Sequence, residues 1–252
     1  MCDTCGCGDP DVVPIEIQDK ILAGNDRQAA HNREHFASHG VLAVNLMGSP
    51  GAGKTAILEA TARADRSLRL GALAGDLETD RDAQRLEAAG IKSVTINTIS
   101  ACHLDARLVH NALHDSGMEG HDILFIENVG NLVCPAVYDL GQQFNVVALS
   151  VTEGEDKPVK YPVMFRKADL VLITKVDLLP HLPGMSIEKI ADSLARVMPD
   201  PRYIAVSAVS GEGVADWLKW LEERRRPAMV AAGHSHDHHH EHEHDHDHHH
   251  NH

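Results

Sequence analysis

Val41-Leu-Ala-Val-Asn-Leu-Met-Gly48-Ser-Pro-Gly-Ala-Gly-Lys-Thr55 decides the fold. Its first half is an apolar run of strand length, and a helical pattern follows from Thr55 to Arg66. Gly48 to Thr55 fits G-x-x-x-x-G-K-[ST], and strand, loop and helix in that order form the context the pattern requires. Glycines at 48, 51 and 53, with Ser49, Pro50 and Ala52 between them, let backbone N–H groups close around a β-phosphate. The helix N-terminus favours the anion. Lys54 is placed to bridge the outer phosphates and Thr55 to ligate magnesium.

Outward from this stretch, apolar runs recur at Leu70–Ala74, Ser93–Ile96, Ile123–Ile126, Asn145–Val151, Leu170–Ile173 and Tyr203–Val206. Helical patterns separate them at Ala83–Ala89, Leu104–His114, Ile187–Val197 and Val214–Glu223. Strands apolar on both faces and alternating with helices predict an α/β fold of the P-loop NTPase kind, a mostly parallel sheet wrapped by helices. The 252 residues suit one large domain with attached segments. The expected division is a flexible Cys-rich arm over 1–14, a helical segment over 15–40, the nucleotide domain over 41–226 and a His-rich tail over 227–252.

Composition narrows the class. A net charge of −14 argues against a nucleic-acid face. No apolar run is long enough for a membrane span. The opening segment lacks the basic start and apolar stretch of a secretory signal, so a reducing cytoplasm is expected, with its thiols unpaired. From Gly233 onward nearly every residue is His, Asp or Glu, which cannot build a packed core and predicts a disordered tail.

The base is read further along. Thr174-Lys175-Val-Asp177 ends an apolar strand and resembles the Asn-Lys-x-Asp guanine motif of GTPases, with Thr174 in place of Asn. Asp177 can accept from both the ring N–H and the exocyclic amine of guanine, which adenine cannot match, and the Lys175 stem can lie over the base. Ser207 and Ala208 follow the last strand, where GTPases often contact the guanine carbonyl through backbone. The nucleotide is therefore read as GTP or GDP. Asp76 and Glu127 stand at strand ends on the ligand-binding edge of such a sheet. Either is placed to order magnesium and the attacking water.

Three metal loci stand out. Cys2, Cys5 and Cys7 form C-x-x-C-x-C, and three thiolates plus the terminal amine suit nickel, with zinc also open on ligand identity. Cys102, His103 and Cys134 form a second set, and Cys134 lies seven residues past Glu127, so metal and nucleotide can share one switch segment. Two or three ligands leave a tetrahedral site open, which a symmetric dimer would complete. In the tail, His234, His236, His238, His239, His240 and their neighbours offer many imidazoles, which suits storage. His110, His114 and His121 read as helix-surface histidines rather than ligands.

Taken together, these residues resemble the HypB family of hydrogenase nickel-incorporation GTPases. The likeness runs from Val41 to Glu223, with the most specific stretches at Gly48–Thr55, Ala101–Asp105, Glu127–Pro135 and Thr152–Pro162. It extends to the N-terminal Cys cluster and the His-rich segment. The resemblance implies a cytoplasmic GTPase that forms a nucleotide-dependent homodimer and helps deliver nickel to the large subunit of a nickel–iron hydrogenase. It implies a nickel metallochaperone as a further partner. Members usually carry the His-rich tract near the N-terminus, whereas here it closes the sequence. The alternatives are a urease-accessory metal-delivery GTPase, and a nickel storage protein whose nucleotide site only switches shape.

Overall fold

A computed structural model describes residues 15–75, 80–96, 103–116 and 120–235 of the protein. Helix α1 (Ile15–Ser38) leads into strand β1 (Leu42–Gly48), helix α2 (Lys54–Ala64) and strand β2 (Leu70–Ala74). Then follow α3 (Asp80–Ala88), β3 (Lys92–Thr95), α4 (Ala106–Ser116), β4 (Ile123–Glu127) and β5 (Phe144–Ser150). Two short helices, α5 (Lys157–Lys160) and α6 (Pro162–Arg166), precede β6 (Leu170–Thr174), α7 (Ile187–Ala195), β7 (Tyr203–Val206) and α8 (Val214–Ser235). The seven strands form one sheet in the order β3-β2-β4-β1-β5-β6-β7, and every pairing is parallel.

Side-chain alternation explains the layering. Leu42, Val44 and Leu46 of β1 face one side, where they join Ile57 and Leu58 of α2, Leu86 of α3 and Trp217 of α8 in a single core. Residues of opposite parity face the other side. Ala43 packs there with Phe36 of α1 and Val109 of α4, while Met47 packs with Phe165 of α6 and Ile190 and Leu194 of α7. Strands β1, β2, β4 and β6 are buried throughout, which is why their sequences read as nearly continuous apolar runs. The edge strand β3 is only half covered and correspondingly more polar.

Three elements differ from the sequence reading. The last helix continues to Ser235 through Pro227, so the domain boundary expected at 226 falls inside it and residues 227–235 are helical rather than part of a disordered tail. Ala-Met-Val-Ala-Ala from 228 to 232 is a good helix-forming run, which extends the helix despite the proline. Helices α5 and α6 lie where no element was expected. Each is a single turn or slightly more with proline in its first turn, too short to show a 3.6-residue period.

Candidate functional site

The C-terminal ends of β1, β4, β5, β6 and β7 share one edge of the sheet, and the reversal of strand order around β1 places the phosphate-binding stretch at its middle. At Gly48 a Cβ would lie 2.5 Å from the carbonyl oxygen of Ala148, so the end of β1 approaches β5 as only glycine allows. Gly53, at φ 94°, turns the chain into α2. The first N–H groups of α2 therefore converge on the loop. Lys54 is buried, and its Nζ lies 3.5 Å from the Gly48 carbonyl, curled back across the loop it must serve.

Glu127 ends β4 beside this loop and is 3% exposed. Its Oε1 accepts a 2.9 Å hydrogen bond from the Thr55 hydroxyl. The Thr55–Glu127 pair thus brings a hydroxyl and a carboxylate oxygen together, the hard oxygen donors that magnesium takes.

Thr174 and Lys175 both reach back to the phosphate loop. The buried Thr174 hydroxyl donates to the Ala52 carbonyl at 2.6 Å, and Lys175 Nζ donates to the Gly51 carbonyl at 2.6 Å. Lys175 is the only non-glycine among the described residues with positive φ, at 59°. That left-handed conformation aims its stem at the loop, at a cost of roughly 1–3 kcal/mol. The Ser207 hydroxyl donates to Asp177 Oδ1 at 2.5 Å and accepts from the N–H groups of Val209 and Ser210. Asp177 is thereby oriented from one side by Ser207. The Ala208 carbonyl accepts from Arg63 at 3.1 Å, which pins the segment after β7 onto α2.

A chain of buried amides underlies the site and was not foreseen. The Asn128 amide nitrogen donates to Asn45 Oδ1 at 3.2 Å, and the Asn45 amide donates to Asn145 Oδ1 at 3.0 Å. Asn128 Oδ1 in turn accepts from the backbone N–H groups of Val129 and Leu104. Asn128 is fully buried, adjoins Glu127, and holds the residue that follows His103. The available signal was Asn45, a lone amide within an otherwise apolar strand, since a buried amide needs partners.

His103 is half-buried and stacks on Tyr138 with ring centroids 3.9 Å apart. Burial pushes its imidazole below the usual histidine range, only partly opposed by Asp105. At neutral pH it is therefore in the neutral, metal-ligating form. Cys134 is half-buried in the short 3-10 turn Cys134–Ala136, four residues ahead of that Tyr138. Cys102, Asp76, Cys2, Cys5, Cys7, His236, His238, His239 and His240 lie outside the described residues. Of His234 only the backbone, within α8, is described. Thus Gly48 to Thr55, Glu127, Thr174, Lys175, Asp177, Ser207 and Ala208 share one sheet edge, and His103 and Cys134 occupy loops beside it.

A family model described as CobW/HypB/UreG, nucleotide-binding domain, matches residues 42–204. The chain is 49% identical over 213 residues to the hydrogenase maturation factor HypB of Azotobacter chroococcum mcd 1, covering 84% of this chain and 69% of that protein. It is 46% identical over 212 residues to the same factor from Escherichia coli K12, covering 84% and 73% of the two chains. The crystal structure of HypB from Helicobacter pylori in complex with nickel matches with a TM-score of 0.76 and 38% identity, over 81% of this chain and 96% of that one.

Proposed function

The chain belongs to the CobW/HypB/UreG family, in its hydrogenase maturation factor HypB branch, and from that premise we propose that it hydrolyses GTP and uses the cycle to pass nickel toward a nickel–iron hydrogenase large subunit. One observation carries the nucleotide part of this reading: the Thr174–Lys175 segment is tied by two hydrogen bonds to the loop that cradles the phosphates. Base and phosphate recognition are thereby held in one frame.

In this reading, backbone N–H groups of Gly51 to Thr55 and the Lys54 ammonium bind the β- and γ-phosphates. Asp177 accepts from guanine, the Lys175 stem covers the base, and the backbone N–H of Ala208 meets the guanine carbonyl. Thr55 and Glu127 would hold magnesium, which supplies charge neutralisation between the β- and γ-phosphates. Asp76 joins Glu127 in orienting the water. The positioned groups do the work, since phosphoryl transfer depends mainly on placement and electrostatic stabilisation.

Nickel is the cargo. His103 and Cys134, with Cys102, form the site nearest the nucleotide, zinc being the competing ion, and a second copy of the chain in a GTP-dependent dimer completes the ligand set. Cys2, Cys5 and Cys7 form a tight thiolate site, and the histidines from His234 to His240 a looser store. A nickel metallochaperone and the hydrogenase large subunit are the partners, and the work takes place in the cytoplasm. Among the described residues no helix is long and apolar enough to cross a membrane.

The test is GTP turnover by the purified chain, together with nickel affinity measured in its GDP and GTP-analogue states. The variant used has Cys2, Cys5 and Cys7 replaced by serine and the His-rich tail removed, so that the site near the nucleotide reports. Hydrolysis and a nickel affinity that differs between the two states are expected. Turnover no faster than buffer would return the protein to a nucleotide-switched store, and equal nickel affinities would remove the coupling.

A further inference from the structure

Outside the site described above, α1 and α4 bring five histidines into one row. His31 and His35 of α1 and His39 just past its end follow at four-residue spacing, and on α4 His110 and His114 do the same. Such spacing puts side chains on one face of a helix. The two helices pack against each other, so the faces meet. Ring centroids stand 4.4 Å apart for His35–His39, 5.5 Å for His35–His114, 4.4 Å for His110–His114 and 5.0 Å for His31–His110. The imidazoles therefore run as a ladder, His39, His35, His114, His110, His31, crossing between the helices twice.

These separations are informative. With metal–nitrogen bonds of 2.0–2.1 Å, an imidazole centroid lies about 3.2 Å from a bound ion. Two imidazoles sharing one ion then have centroids about 4.5 Å apart at a right angle and about 5.2 Å apart at the tetrahedral angle. All four observed spacings fall in or within a few tenths of an ångström of that interval. Histidines four apart on one helix face come this close by geometry alone; what sets this row apart is that such pairs on two neighbouring helices meet, at His35–His114 and His31–His110.

We propose that this ladder is a binding site for a borderline divalent ion of the nickel and zinc class, held jointly by His110 and His114 of α4 and by His31 or His35 of α1. Imidazole is the ligand these ions favour. Among the described residues no group of three such side chains is arranged to hold a metal ion, so the proposed site requires the rings to turn about their side-chain bonds toward a shared ion. His39 Nδ1 lies 2.9 Å from the His35 carbonyl and 3.1 Å from the Ser38 hydroxyl, and the tautomer with its hydrogen on Nδ1 would leave the lone pair on Nε2. His31, His39 and His114 are exposed, which opens the row to ions from solvent.

The consequence for the fold is a brace. Helix α4 starts just after His103, its first turn capped by Asp105 through the N–H of Leu108 at 2.7 Å. An ion between α4 and α1 would fix the helix that leaves this metal locus. The proposal does not depend on GTP hydrolysis.

Hydrogen exchange on the full-length chain, with and without nickel chloride, tests it. In peptides covering residues 31–39 and 106–114, exchange that requires the helices to part should slow about a hundredfold when nickel is a hundredfold above its dissociation constant. His110→Gln/His114→Gln should abolish the slowing in both helices. His31→Gln/His35→Gln, a second pair on the opposite helix, should abolish it independently, which guards against one variant being misfolded. Nickel at the Cys-rich arm or the His-rich tail leaves both variants' arms and tails intact, so it cannot mimic the loss. Absence of slowing in the parent chain, or slowing that survives both double variants, would overturn the proposal, the latter by assigning the effect to the His103 and Cys134 locus.

Discussion

Thr174 is where the sequence leaves the guanine-motif pattern, and the structure gives its hydroxyl a definite task. It is 2% exposed and donates to the Ala52 carbonyl at 2.6 Å, joining the end of β6 to the phosphate loop. Thr174→Val keeps the shape and removes the donor, leaving that carbonyl to find another partner. Leaving a buried acceptor unsatisfied costs about 1–3 kcal/mol. In thermal unfolding each kcal/mol lost lowers the midpoint of a domain this size by about 2–4 °C. Where the bond instead pre-organises the loop for nucleotide, the same energy appears as roughly a 5- to 150-fold loss of GDP affinity. The two measurements together should account for the cost. Fluorescent GDP titration and thermal unfolding of the parent, Thr174→Val and Thr174→Ser are the assays, serine retaining the hydroxyl. A valine variant that matches the parent in both stability and affinity would refute the bridging role. So would a serine variant as impaired as valine, because shape rather than the hydroxyl would then carry the effect.

Lys54→Ala should abolish GTP binding and hydrolysis while circular dichroism still reports a folded chain; retained turnover would reject the phosphate-loop reading. Asp177→Asn should lower affinity for GTP and raise it for xanthosine triphosphate, since one acceptor becomes a donor facing the base; competition binding with both nucleotides decides it. Asn128→Ala should leave GDP binding within a few-fold of the parent yet erase the difference in nickel affinity between nucleotide states, read by nickel titration in each; a preserved difference would place the coupling elsewhere. Asp122 is buried, which alone would push its carboxyl up, but hydrogen bonds from Arg69 and the charge of Arg225 hold it below its ordinary range. Its folded-state pKa being depressed, the stabilisation is present above the unfolded value of about 3.9 and is lost as pH falls through the lower folded one. Asp122→Asn should cost about 1–3 kcal/mol at neutral pH and flatten stability in that acid window, measured by urea unfolding across pH; an unchanged acid limb would dismiss the role.

Much of this architecture was legible because burial on both faces forces a parallel strand to be apolar along its whole length. The runs at Leu70–Ala74 and Tyr203–Val206 coincide with β2 and β7, and the others fall within a residue or so of the strands. The phosphate loop was legible for a steric reason, since the 2.5 Å approach of a Cβ at Gly48 to Ala148 leaves glycine as the residue that fits. Interactions between distant parts of the chain were not. Nothing local to Asn128 announces that its side chain meets Asn45 and the N–H of Leu104, because those partners come from β1 and the loop before α4. The same holds for the histidines: His31 and His110 lie far apart in sequence, and each by itself reads as an ordinary surface residue.

The amide chain also supplies a physical link for the proposed coupling of nucleotide and metal chemistry. Glu127 faces Thr55 on the phosphate side, while the next residue, Asn128, is anchored to β1 on one side and accepts from Leu104 on the other. In the proposed cycle, a shift of Glu127 would be passed to the backbone beside His103 through one fully buried side chain. A buried amide with every partner in place has few alternative positions, because each broken hydrogen bond leaves a desolvated group behind. That discreteness is what a switch needs. If the proposed cycle has two arrangements separated by whole hydrogen bonds, the proposed metal locus would have two ligand geometries, and linkage would make the metal act back on the nucleotide by the same factor.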